Sequence, residues 1–119
     1  EAKMVLVVRK DLKMDETEYS AASVDAAIQV YKNVLDADSL SWTQWLQMWE
    51  RCGTKKVALK AKNEKELLEL TGKAQELALP YSLAQCTTKK APEPQPAVLA
   101  IGPAANSVID KATGHLRLF

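Results

Sequence analysis

The sequence predicts an α/β domain, a β-sheet covered by helices on both faces, and three observations predict it. Segments with strand patterning alternate along the chain with segments of helical periodicity. Two strand segments, Met4-Val5-Leu6-Val7-Val8 and Ala97-Val98-Leu99-Ala100-Ile101, are apolar at every position, the pattern of strands buried on both faces. The third is size: 119 residues, 47% hydrophobic and 26% charged, are enough for one core and too few for two. With no internal repeat and no long linker, residues 1–119 are expected to form a single domain.

The elements follow in order. Met4 to Val8 is the first strand. Asp15 or Thr17 caps a helix whose apolar face is expected to be Val24, Ile28, Tyr31 and Leu35, at i, i+4, i+7, i+11. Acidic Asp15, Glu16 and Glu18 suit the positive end of its dipole. A second helix runs from Ser39 or Ser41 to Cys52, where Gly53 ends it. Lys56 to Lys62 alternates as a strand with Val57, Leu59 and Ala61 on one face. Asn63 then caps a helix through Leu67, Leu68, Leu70, Ala74 and Leu77. Pro80 to Gln85 is the next strand. Thr87 to Pro96, holding three of the five prolines, is a loop. Ala97 to Ile101 is a strand stopped by Gly102-Pro103. A short helix over Asn106 to Lys111 and a strand-like His115 to Phe119 complete the chain.

Composition narrows the function only by exclusion. Sixteen basic and fifteen acidic residues give a net charge of +1, which offers a polyanion no global attraction. No apolar run approaches the ~20 residues of a membrane span, and a signal-peptide layout is not expected at the N-terminus. Cys52 and Cys86 are too few and too far apart for a secreted disulfide framework, and with the lone His115 they make no zinc-type spacing. No metal and no cofactor are expected.

Three segments resemble the type II (archaeal and eukaryotic) peptidyl-tRNA hydrolases. Lys3-Met4-Val5-Leu6-Val7-Val8-Arg9-Lys10-Asp11-Leu12-Lys13-Met14 is similar to that family's opening strand and turn. Trp49-Glu50-Arg51-Cys52-Gly53-Thr54-Lys55-Lys56-Val57 resembles its tryptophan-glutamate…glycine…lysine-valine segment. The tail, Val98-Leu99-Ala100-Ile101-Gly102-Pro103 with Ile109-Asp110-Lys111-Ala112-Thr113-Gly114-His115-Leu116-Arg117-Leu118, is similar to the family's ending. The resemblance implies a small mixed sheet of about four strands between helices.

The departures from the family fall on its chemistry. After the methionine matched by Met14 the family writes Gly-Lys-Gly-Lys, one residue, Ala-Ala-Gln-Cys, one small residue, then His-Ala. The stretch here is Asp15-Glu16-Thr17-Glu18-Tyr19-Ser20-Ala21-Ala22-Ser23-Val24-Asp25-Ala26. The resemblance thus places Glu18, Ala22 and Asp25 where the family has its catalytic lysine, glutamine and histidine. Downstream, Gln85-Cys86-Thr87-Thr88-Lys89-Lys90-Ala91 stands against Gln-Asp-Ala-Gly-Arg-Thr-Gln, so Cys86 occupies the catalytic aspartate's position. Ester hydrolysis needs a positioned water, a proton acceptor and donors for the oxyanion. Glu18 reverses a charge, and Ala22 neither donates nor accepts. Losing one oxyanion donor costs about 3 kcal/mol or more in the transition state. From Asp11 to Asp36 six acidic residues face two lysines, a local net of −4 that repels phosphate. A Cys86 nucleophile would need a base or positive neighbours, which Lys89 and Lys90 offer.

The small residues left on the first helix, with the inserted tryptophans downstream, suggest instead a surface that admits close approach. On this reading the chain is a non-catalytic protein-interaction module on the hydrolase scaffold, a pseudoenzyme or a designed binding protein. Its binding residues would be Ala22, Asp25, Ala26, Gln29, Trp42 and Trp45. A protein partner or a homodimer is expected, tRNA and membrane are not, and the resemblance implies a cytoplasmic location. The alternative is a divergent peptidyl-tRNA hydrolase that cleaves the ester between peptide and tRNA with groups from other positions.

Overall fold

A computed structural model describes all of residues 1–119. Strands β1 (Ala2–Arg9) and β4 (Gln95–Ala105) form the centre of a four-stranded sheet, with β2 (Lys56–Ala61) and β3 (Tyr81–Cys86) at its edges in the order β2-β1-β4-β3. The β1–β2 pair is parallel, and β4 runs antiparallel to both β1 and β3. The two all-apolar runs are the two central strands because they alone are covered on both faces. Side chains alternate between two layers. Val5, Val7, Leu99 and Ile101 pack with helices α3 (Glu64–Glu76) and α4 (Asn106–Thr113). Met4, Val8, Val98 and Ala100 pack with α1 (Glu16–Asp36) and α2 (Leu40–Arg51). The expected mixed sheet between helices is the observed fold.

Local capping sets three helix starts. The side chains of Asp15, Ser39 and Asn63 accept from the backbone N–H groups of Glu18, Trp42 and Glu66. At its far end α2 closes on Gly53, at φ +94°.

Tertiary packing overrides the expected face of α1. Val24, Ile28 and Leu35 are 54%, 55% and 58% exposed, whereas Ala22 and Ala26 are 3% and 0% exposed and line the sheet with Val30 and Val34. Small side chains let the helix settle close on β4 and β3, and the larger stripe turns outward. Ala22 and Ala26 therefore do not form a binding surface. Their smallness serves the helix–sheet contact.

Two further expectations change. β4 does not stop at Gly102-Pro103 but continues through that cis peptide to Ala105, paired with Ala2 and Lys3 of β1. Gly102 sits at φ +106°, and a Cβ there would lie 2.7 Å from the Lys3 carbonyl oxygen, so the crossing needs glycine. The tail forms a single bridge, Leu59 to Leu118, rather than a strand. Its backbone bonds, Lys60 N–H to the Arg117 carbonyl and Phe119 N–H to the Ala58 carbonyl, hold it along the β2 edge. No helix is long and apolar enough to cross a membrane.

Candidate active site

The start of α1 and the loop 87–94 between β3 and β4 meet at one end of the sheet, and the residues at that meeting form the candidate site. Asp15 and Glu18 hold each other reciprocally: the Glu18 N–H donates to Asp15 Oδ1 at 2.8 Å, and the Asp15 N–H donates to Glu18 Oε1 at 2.9 Å. The second Glu18 oxygen, Oε2, accepts from the Lys89 N–H at 3.0 Å, 71 residues away in sequence. Lys89 Nζ lies 3.4 Å from Asp15 Oδ2. A capping pair set by local sequence thus holds a distant loop, and the loop brings the Lys89 ammonium beside the Asp15 carboxylate. The buried Thr88 shapes the loop, because its hydroxyl oxygen and carbonyl both accept from the Ala91 N–H.

Electrostatics assign the groups different tasks. Asp15 titrates below the usual carboxylate range, chiefly because the Glu18 N–H hydrogen bond favours the charged form, with Lys89 adding to it. Cys86, at the end of β3, moves the other way: burial raises its pKa first, and the charges of Glu18 and Asp15 raise it further. Cys86 is therefore a thiol at neutral pH, and the nucleophile considered from its lysine neighbours is not activated here.

Beneath the site, Arg9 fastens the sheet end. Its guanidinium donates bidentately to Asp11 at 2.7 and 3.0 Å and to the Pro96 carbonyl at 2.9 Å, with Glu64 Oε1 at 3.7 Å. The Arg9 hydrogen bonds hold the Asp11 carboxyl below its ordinary range.

The residues singled out from sequence scatter. Glu18 and Cys86 are brought together, while Asp25 and Gln29 are exposed farther along α1, Gln29 donating to the Asn33 side chain at 2.9 Å. Trp42 and Trp45 are half-buried within their own chain. The Trp42 indole N–H donates to the Ala78 carbonyl at 2.9 Å, and Trp45 packs on the α3–α4 side of the core. Trp49 is buried, its N–H on the Lys55 carbonyl at 2.8 Å. Lys89 is the residue sequence reasoning undervalued. The available signal was its place opposite the family's arginine, where the positive charge survives.

Residues 2–119 match the family model described as "Peptidyl-tRNA hydrolase PTH2". The chain is 42% identical over 121 residues to human "Peptidyl-tRNA hydrolase 2, mitochondrial", with 100% of this chain and 65% of the human protein covered. It is 41% identical over 120 residues to the mouse protein of the same name, with 100% of this chain and 64% of that one covered. It is 33% identical over 117 residues to "Peptidyl-tRNA hydrolase" of Saccharolobus solfataricus, with 98% of both chains covered. The chain thus spans about two thirds of the mammalian relatives and nearly all of the archaeal one. The expectation of a non-catalytic interaction module, natural or designed, is overturned by this similarity, which runs the length of the chain to proteins named as hydrolases.

Proposed function

Because the chain belongs to the type II peptidyl-tRNA hydrolase family, we propose that it hydrolyses the ester linking a peptide to tRNA. The full-length similarity to proteins named as peptidyl-tRNA hydrolases carries this reading. It replaces the expectation that tRNA is an unsuitable partner. Translation supplies the substrate, so the proposed compartment is the cytoplasm or, as the human relative's name states for that protein, the mitochondrion.

The machinery proposed is relocated rather than lost. Water adds its oxygen to the ester carbonyl, the carbonyl–ribose oxygen bond breaks, and one proton ends on the ribose hydroxyl. Glu18 is the group to accept that proton on the way, since each of its oxygens takes one hydrogen bond and keeps a lone pair free. Lys89, on the loop that faces it, supplies the positive charge for the developing oxyanion, the task the family's lysine has at the position of Glu18. Asp15 holds the ammonium at the site, and Ala22, which is buried, takes no part.

Release of free tRNA from a peptidyl-tRNA tests the reading. The protein is expected to raise the rate well above the buffer reaction, and Glu18→Gln and Lys89→Ala are each expected to lower it about a hundredfold. No release above the buffer rate would end the proposal. Full activity in both variants would remove these two residues from it.

A further inference from the structure

A groove of about 590 Å³ opens where the tail runs along the β2 edge. Four positive side chains line it, Lys10, Lys60, Lys62 and Arg117, against one carboxylate, Glu66. None of the four is in an ion pair. Glu66, whose Oε1 accepts from the Lys62 N–H at 2.8 Å, offsets only part of that charge, and the lining keeps an excess of positive side chains. Four unpaired cations from three separate segments around one concavity repel one another, and an anion in the groove relieves that repulsion. His115 is also in the wall.

The groove is joined to the candidate site by aromatic rings. Lys10 Nζ stands 5.2 Å from the centre of the Phe119 ring. Phe119 meets Tyr19 edge to face, with ring centres 5.0 Å apart and planes at 73°. Tyr19 is the next residue after Glu18 on α1. Phe119 is 42% exposed, so part of its face is open to a flat partner. A path leads from the carboxylate, over two rings, into a channel of cations. This is the arrangement that takes a single strand on aromatic faces and its phosphates on lysines.

We propose that this groove is the RNA track of the protein: Lys10, Lys60, Lys62 and Arg117 hold tRNA backbone phosphates, and Phe119 stacks a base of the unpaired 3′ end, so that the ester reaches Glu18. The assignment rests on the hydrolase reading for the identity of the RNA. It also accounts for how a chain with an acidic start to α1 and a net charge of +1 attracts a polyanion, because the charge is local.

Two variants test it with deacylated tRNA as the binding probe, titrated over a range of salt. Lys60→Gln/Lys62→Gln/Arg117→Gln should weaken binding about tenfold or more at physiological salt and reduce the slope of log affinity against log salt by about two to three. Lys62→Gln/Arg117→Gln, at two exposed positions, gives a smaller shift in the same direction and guards against misfolding of the triple variant. Phe119→Ala should weaken intact tRNA about fivefold or more and leave a tRNA trimmed of its single-stranded 3′ end unchanged. Unchanged affinity and slope in both folded lysine variants would overturn the track. Equal losses for intact and trimmed tRNA in Phe119→Ala would overturn the stacking. A wild-type protein that binds tRNA through these residues but releases none from peptidyl-tRNA would leave the groove standing and end the hydrolase reading. Turnover with an unchanged KM in the triple variant would do the reverse.

Discussion

The inward face of α1 can be tested by a pair of substitutions two residues apart. Ala26 is 0% exposed against the sheet, and Ile28 is 55% exposed. Ala26→Leu forces three further carbons between α1 and β4. The strand beneath is hydrogen-bonded to β1 on one side and β3 on the other, so it has little room to give. Overpacking of this kind costs about 1–3 kcal/mol, and the upper half of that range is expected here. Ile28→Ser removes a side chain that is only half covered, where Ile28 borders a shallow apolar groove with Tyr31 and Trp49. Full burial of an isoleucine contributes about 1.5–3 kcal/mol, so the loss should be about 1 kcal/mol or less. Urea unfolding of the purified variants measures both. With an m-value of about 1–3 kcal/mol/M, Ala26→Leu should lower the midpoint by about 1 M or more and Ile28→Ser by less than half of that. If the larger hydrophobic stripe faced the core instead, the order would invert. Ile28→Ser costing more than about 2 kcal/mol, with Ala26→Leu below about 0.5, would refute the packing described above.

Leu99 is fully buried in the central strand, in register with Val7 on one side and Leu83 on the other. Leu99→Ala should cost about 3–5 kcal/mol by chemical denaturation, toward the upper end of the range because a strand held on both edges cannot collapse onto the cavity. The Asp11 carboxyl titrates below its unfolded value near 3.9, so its contribution is complete above that pH and is lost as pH falls through the lower folded value. Asp11→Asn should destabilise the protein by about 1 kcal/mol at pH 7, a figure kept small because the carboxylate is 40% exposed, and the gap from wild type should close between about pH 5 and pH 2. A gap that stays constant across that window would mean the Arg9 pair does not stabilise the fold. Cys86 should react slowly with iodoacetamide at pH 8 and faster only at strongly alkaline pH, and Cys86→Ala should keep tRNA release within about threefold of wild type. Loss of activity in that variant would return the thiol to the mechanism.

Helix caps and strand patterns were legible in the sequence because they are local. Asp15, Ser39 and Asn63 satisfy N–H groups three residues away, and β1 and β4 declare their burial by having no polar position over their middle residues. The strings from Lys3 to Met14, Trp49 to Val57, and Val98 to Pro103 with Ile109 to Leu118 likewise carry the family and its mixed sheet. Periodicity misled at α1, since a helix with two apolar stripes has two candidate inner faces. Only the sheet decides between them, and it took the alanines because they allow the closer approach. Gly102-Pro103 has the local character of a strand end, but pairing with Ala2 and Lys3 carries β4 through that peptide. The site and the groove are more dependent still on tertiary structure. Glu18 meets Lys89 across 71 residues, and Lys10, Lys60, Lys62 and Arg117 come from three segments whose charges average away in a chain of net charge +1. Charge composition adds over the whole chain, whereas a phosphate responds to charges within about 10 Å, and only folding determines which those are.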